Sequence, residues 1–141
     1  QCSSQVGSIM RFKGFSLLCP NEREARIALQ DKDTGLELLS QKLLKRTESQ
    51  RLIMKLGAEG FIAYDRNSSN NMDSQAFPAL SVNPLDVAGA GDSMLISTMM
   101  SIVAGGNVWQ SACIGGVASA LQISRVGNIP LQKDELLDCL K

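Results

Sequence analysis

Two periods of apolar residues alternate along the chain. Phe15 to Cys19 is a short apolar run stopped by Pro20, which predicts a buried strand ending in a turn. Asn21 can then cap a helix, with Glu22 and Glu24 in an acidic first turn, apolar positions from Ala25 to Leu29, and a break at Asp31 to Thr34. Leu36, Leu39 and Leu43 recur at helical spacing and predict a second helix from Thr34 to Thr47. Lys42, Lys45 and Arg46 lie near its end, where the helix dipole favours cations. Arg51 to Leu56 is short and apolar, Gly57, Ala58, Glu59 and Gly60 make a turn, and Phe61 to Tyr64 resumes, so a hairpin-like strand pair is predicted. Asp65 to Ser74 is polar and Asn-rich and reads as an exposed loop. Gln75 to Val82 reads as a short extended segment that Pro78 marks as an edge.

From Ser93 to Ser124 no residue is charged. A membrane-spanning helix needs about 20 consecutive, predominantly apolar residues, but Gly105, Gly106 and Asn107 interrupt this stretch, and Gln110, Gly115, Gly116 and Gln122 follow. Two helices buried in a soluble protein are predicted instead. The first, Ser93 to Ala104, is apolar almost all round, as a helix covered on most sides would be. The second, Val108 to Ser124, is capped by Asn107, and Gly127 ends the turn that follows it. A last helix, Lys133 to Leu140, places Leu136, Leu137 and Leu140 on one face. Strands alternating with helices argue for an α/β layered fold, with no internal repeat and no interior domain boundary visible.

Composition narrows the chemistry. A chain of 141 residues, 44% hydrophobic and 20% charged, has the makings of one folded domain. Fourteen basic and fourteen acidic residues cancel, so no global charge calls for nucleic acid or a membrane surface, and any phosphate site must be local. The absence of histidine excludes Ser-His-Asp and Cys-His nucleophiles and His-ligated metals within these residues. Cys2, Cys19, Cys113 and Cys139 form no C-x-x-C pair and are expected to be buried free thiols in a reducing cytoplasm, with Cys113 inert. Trp109, the six methionines and the leucines are assigned to core or interface. The chain starts at Gln1, and Gln1 to Ser8 lacks the pattern of a signal peptide, so a piece of a longer protein is expected.

The most informative stretch runs from Asp86 through Gly89, Ala90 and Gly91 to Asp92, a Gly-rich turn at a helix start. Glycines let successive N–H groups point outward together, and the helix dipole adds roughly +0.5 charge there, which makes an anion cradle. A carboxylate in the first turn, Asp92, can take a proton from a hydroxyl brought within reach. That pairing suits phosphoryl transfer to an alcohol, with the amides stabilising charge on the transferred oxygens. An ordinary Gly-containing turn with an acidic helix N-terminus is the plainer reading of the same residues.

Asp86-x-x-Gly89-Ala90-Gly91-Asp92 resembles the C-terminal signature of the ribokinase-like (PfkB) sugar kinases. Two further stretches match in order and distance. Asn21 to Glu24, after a strand, is similar to the family's N-x-x-E motif, and Lys55 to Gly60 to its nucleotide-loop strand and turn. Ala112 to Gly127 resembles the helix and turn over the adenine side, and the likeness covers Leu17 to Leu140. The resemblance implies the C-terminal portion of a three-layer α/β/α ribokinase-like fold. It makes residues 1–141 the nucleotide-binding part, with the sugar-binding and lid part outside the chain. It further implies Asp92 as catalytic base and Gly89, Ala90 and Gly91 as anion hole for the γ-phosphate of ATP. Lys55, Gly57, Ala58, Gly60 and Gly116 would border the nucleotide. Asn21 and Glu24 would organise Mg²⁺, although the same pair reads as a helix cap with an acidic first turn.

Asp86, with backbone carbonyls near Gln122, Arg125 and Gly127, would hold a monovalent cation such as K⁺. Ala88 departs from the threonine common in relatives at that position. Ala104 to Cys113 and Gly127 to Leu131 look most like the subgroup acting on heptose phosphates. Ribose, fructose phosphate, adenosine or another alcohol stay open as acceptors, because the resemblance places substrate reading outside the chain. The implied partners are a small-molecule sugar or sugar phosphate and, in a homodimer, a second copy of the chain. Nucleic acid and membrane are not among them. The isolated residues are expected to turn over no sugar. The alternative is a catalytically inactive nucleotide-binding or oligomerisation module.

Overall fold

A computed structural model describes residues 9–67, 71–80, 85–127 and 129–139. The chain falls into two compact units, Gln1–Ala76 and Phe77–Lys141, where the sequence showed no boundary. Cys2, Pro84 and Leu140 lie outside the described residues.

In the first unit, helices α1 (Glu22–Leu29) and α2 (Leu36–Thr47) precede strands β1 (Arg51–Lys55), β2 (Phe61–Arg66) and β3 (Met72–Phe77). Asn21 caps α1 as the pattern predicts. Its Oδ1 accepts from Glu24 N at 2.8 Å, and Glu24 Oε2 accepts from Asn21 N at 2.8 Å. These reciprocal bonds fill two amide donors that a helix start otherwise leaves without a partner. The break before α2 is held by Asp31, whose carboxylate accepts from Lys42 Nζ at 2.6 Å and from both the amide and the hydroxyl of Thr34. Those bonds hold the Asp31 carboxyl well below the usual carboxylate range. The second helix begins at Leu36 rather than Thr34, because Thr34 is committed to Asp31 and Gly35 takes the N-cap position.

The predicted hairpin is present. β1 and β2 pair antiparallel from Arg51↔Asp65 to Lys55↔Phe61, and an ion pair at 3.3 Å joins Arg51 to Asp65 at its open end. Leu18, Ala25, Leu29, Leu39, Leu43, Leu44, Leu52, Met54 and Tyr64 form one buried cluster, so α1 and α2 cover one face of the strands. Burying each large aliphatic side chain is worth about 1.5–3 kcal/mol.

Two strand expectations are corrected. Phe15 to Cys19 is not a continuous strand. It meets β1 in parallel at Leu18↔Leu52 and again at Asn21↔Lys55, with Leu18 N donating to Arg51 O at 3.0 Å. In that register the next donor along would be residue 20, and proline has none. Phe15 itself is exposed. Asp65 to Ser74 is not one long loop: β2 runs on to Arg66 and β3 starts at Met72. β3 lies at the sheet edge beside β2 with four of its six residues exposed, so it carries no apolar alternation by which patterning could find it. Of the extended segment expected over Gln75 to Val82, β3 takes in Gln75 to Phe77, and Ser81 and Val82 lie outside the described residues.

The second unit holds α3 (Ala90–Val103), α4 (Val108–Ile123) and α5 (Lys133–Cys139). Asn107 caps α4 in a box with Gln110, as the sequence suggests. Small residues let α3 and α4 approach closely. Ser111 Oγ donates to Ser101 Oγ at 2.9 Å, and a Cβ added at Gly115 would overlap Thr98 Oγ1 and stand 2.9 Å from Met94 O. No helix among the described residues is long and apolar enough to cross a membrane.

α3 is less covered than its composition predicts. Met94 and Thr98 are buried, while Ile96, Met100 and Val103 are exposed, because α4 covers only one side of it. The cysteine expectation is also corrected: Cys19 is buried, but Cys113 and Cys139 are exposed, since they sit on outward positions of α4 and α5.

Gly115→Ala is expected to lower stability by about 1–3 kcal/mol through overpacking, read as the denaturant midpoint of Trp109 fluorescence. Adding Thr98→Ala, which removes the overlapped hydroxyl, should recover part of the loss. An unchanged midpoint in Gly115→Ala would show that the two helices separate freely.

Candidate active site

In the first unit, the parallel bridge between Asn21 and Lys55, with Lys55 N donating to Pro20 O at 2.9 Å, sets the start of α1 beside the end of β1. A cleft of about 500 Å³ opens there, lined by Asn21, Arg23, Arg26, Lys55 and Gly57 among others. β1 then turns over residues 56–60, where Leu56 N donates to Gly60 O at 2.8 Å and Gly57 takes φ +63°, which favours glycine. Ala58 is exposed on this turn and Gly60 is buried beneath it.

In the second unit, the loop before α3 is held by one carboxylate. Asp86 Oδ1 accepts from Ala88 N at 2.9 Å, and Oδ2 accepts from Gly127 N at 3.0 Å, across 41 residues of sequence. Leu85 N donates to Ile123 O at 2.7 Å, tying the same loop to the end of α4, and buried Gln122 donates through Nε2 to Gly127 O at 3.2 Å. Arg125 reaches Glu135 through Nη1 and Nη2 at 3.2 and 3.3 Å, anchoring the turn after α4 to α5. The amides of Ala88 and then Gly127 draw the Asp86 carboxyl below its ordinary 3.8, against a smaller opposing push from burial.

With the loop fixed, Gly89 takes a left-handed backbone (φ +76°) as N-cap of α3, and Ala90, Gly91 and Asp92 form the first turn. A side chain at Gly89 would be strained by that conformation. Gly89, like Gly35 of α2, has no side chain to cap with, whereas Asn21 of α1 and Asn107 of α4 each accept one amide of the first turn; Ala90 N donates to Val87 O at 3.4 Å. Asp92 is exposed at this start.

The structure thus brings Asn21, Lys55 and Gly57 to one cleft, with Glu24 bound to Asn21, and gathers Gly89, Ala90, Gly91 and Asp92 on a loop that Asp86 holds. Gly116 lies buried within α4. Arg23 and Arg26, which line the cleft, were not singled out from sequence. Both lie in or just past the N-x-x-E segment, and the bridge to β1 is what turns that segment toward Lys55. No cluster of three or more acidic, Cys or His side chains able to hold a metal occurs among the described residues.

Comparison with known proteins decides the family. The profile of the pfkB family carbohydrate kinases matches residues 4–134. The chain belongs to this family. Among curated proteins it is similar to the bifunctional protein HldE of Sulfurimonas denitrificans, 27% identical over 133 residues, which cover 89% of this chain and 26% of that protein. HldE of Helicobacter hepaticus is 25% identical over 142 residues, covering 96% and 28%. Among solved structures, ribokinase from Thermotoga maritima matches with a TM-score of 0.74 at 25% identity, covering 89% of this chain and 42% of that one. Phosphofructokinase-2 from Escherichia coli in complex with substrates and products matches at 0.78 and 16%, covering 94% and 42%. The chain therefore spans about a quarter of those curated relatives and about two fifths of those structures, and it has the α/β ribokinase-like fold that its motifs imply.

Because folding lowers the Asp86 pKa, its charge stabilises the second unit above pH 3.8, and that contribution is lost as pH falls from there through the folded value. Asp86→Asn should lower the thermal midpoint at neutral pH, and the gap from the unaltered chain should close as pH drops below 3.8. A gap that stays constant with pH would show that the two amide bonds do not depend on the charge.

Proposed function

We propose that this pfkB-family chain is the nucleotide and base part of an ATP-dependent kinase acting on a hydroxyl of a sugar or sugar phosphate in the cytoplasm. The observation that carries the reading is the start of α3. A loop held by Asp86 turns at Gly89 into the first turn of a fourteen-residue helix, and the carboxylate of Asp92 sits in that turn. Amides at such a start attract phosphoryl oxygens through the helix dipole. The support for a sugar acceptor is the family itself, and likeness to proteins named HldE favours the heptose-phosphate subgroup among its acceptors.

In this reading the amides of Gly89, Ala90 and Gly91 stabilise charge developing on the transferred phosphoryl group. Asp92 accepts the proton of the attacking hydroxyl as its oxygen bonds to the γ-phosphorus and the bond from that phosphorus to the β,γ-bridging oxygen breaks, with ADP as leaving group. In the first unit Lys55, Gly57, Ala58 and Gly60 on the turn after β1 are assigned to the nucleotide, and in the second unit Gly116 of α4 is.

The donor set fits Mg²⁺ only through water and phosphate. Asn21 Oδ1 and Glu24 Oε2 are engaged in the helix cap, which leaves Glu24 Oε1 to orient a hydrated ion held chiefly by the phosphates. Mg²⁺ would supply neutralisation of phosphate charge. For K⁺ the fit is poorer. Each Asp86 oxygen already receives an amide, and Gly127 O receives both Gln122 Nε2 and Ile129 N.

In the intact protein, Asp92→Asn is expected to reduce turnover by about 10²–10⁴-fold while ATP binding by calorimetry is retained. Near-normal turnover would remove Asp92 from the base role.

A further inference from the structure

The turn that follows α4 is closed by side chains from two other segments. Gly127 sits in it at φ +85°, a conformation that favours glycine. Asp86 Oδ2 accepts from Gly127 N at 3.0 Å, and Gln122 Nε2 donates to Gly127 O at 3.2 Å. Gln122 is only 1% exposed near the end of α4, where a polar side chain needs such a partner to offset its desolvation. Gly127 O also receives Ile129 N at 3.0 Å, and Ile123 O receives Leu85 N at 2.7 Å and Asp86 N at 3.3 Å. A carbonyl oxygen has two lone pairs, so both carbonyls are filled. K⁺ is held where several carbonyl oxygens replace its hydration shell. Asp86 and Gly127 O, oxygens that the resemblance offers to such an ion, are engaged instead by N–H groups of the chain itself, and Ala88 brings no side-chain oxygen.

We infer that Gln122 is a positioning residue whose carboxamide takes the part of a monovalent cation at the turn after α4, so that the start of α3 is set for phosphate without K⁺. The positive end of its N–H dipole is directed at Gly127 O as the charge of an ion would be. Unlike an ion, it is tied covalently to α4 and need not be captured from solution. The same Gly127 passes the restraint on, because its N–H is bound to Asp86, which also holds Ala88 N in the loop entering α3. The inference rests on the phosphate reading of the α3 start and adds to it a residue and an independence from K⁺.

The test uses the intact protein in KCl and in tetramethylammonium chloride at equal ionic strength, which keeps screening constant. Calorimetry with ATP and Mg²⁺ and the thermal midpoint are read in each salt. The unaltered protein should bind ATP equally, within about twofold, in both salts, and its midpoint should not rise in K⁺ as it would if the folded state bound the ion. Gln122→Met keeps the bulk of the side chain but cannot donate, and should weaken ATP about tenfold in either salt, the size of one buried hydrogen bond. Gln122→Ala frees a lone pair of Gly127 O and the space beside it, so K⁺ should raise its midpoint and restore part of its ATP affinity. Circular dichroism checks that both variants fold, and the salt comparison on the unaltered protein needs neither of them. K⁺ that raises the midpoint of the unaltered protein, or tightens its ATP binding about fivefold or more, would overturn the inference. So would a Gln122→Met that binds ATP as the unaltered protein does, or a Gln122→Ala indifferent to K⁺. An unaltered protein that binds no ATP in either salt would remove the nucleotide reading, while the midpoints would still decide whether K⁺ is bound.

Discussion

One carboxylate organises the second unit. The two oxygens of Asp86 take amides from Ala88 and Gly127, segments far apart in sequence, and so fix both the loop entering α3 and the turn leaving α4. Without that pin the left-handed turn at Gly89 would have no fixed base, and the first turn of α3 no fixed direction. Ion pairing of Arg125 with Glu135 and the buried Gln122 amide reinforce the same turn from the other side. The geometry that the family reading needs at Asp92 thus depends on a neighbour six residues upstream that need not touch a substrate.

The helix starts divide into two kinds. α1 and α4 close their own first amides with asparagine boxes, which makes those ends structural. α2 and α3 begin instead at glycines, Gly35 and Gly89, which have no side chain to cap with. In the N-x-x-E segment Asn21 and Glu24 hold each other, and Arg23 between them lines the cleft together with Lys55.

Much of this was legible in the residues. Helices α1, α2, α4 and α5 and the β1–β2 pair follow from apolar spacing, caps and Gly turns, and three short motifs pointed to the family that the profile match shows. What was missed has physical causes. β3 is an edge strand exposed on most positions, and a polar edge strand looks like a loop to any argument from burial. The segment before α1 loses its ladder at Pro20. The exposure of Ile96, Met100 and Val103 on α3 and of Cys113 on α4 depends on which neighbours each helix has, which periodicity does not state. The Asp86 to Gly127 bond, across 41 residues, is a matter of tertiary geometry, outside the reach of spacing rules.

The central claim is that the start of α3 receives phosphate. Its most direct test follows the backbone amide resonances of Gly89, Ala90 and Gly91 in the intact protein as ATP or adenosine is added. ATP is expected to shift all three while adenosine leaves them in place. Amides unmoved by ATP, or moved equally by adenosine, would contradict the account.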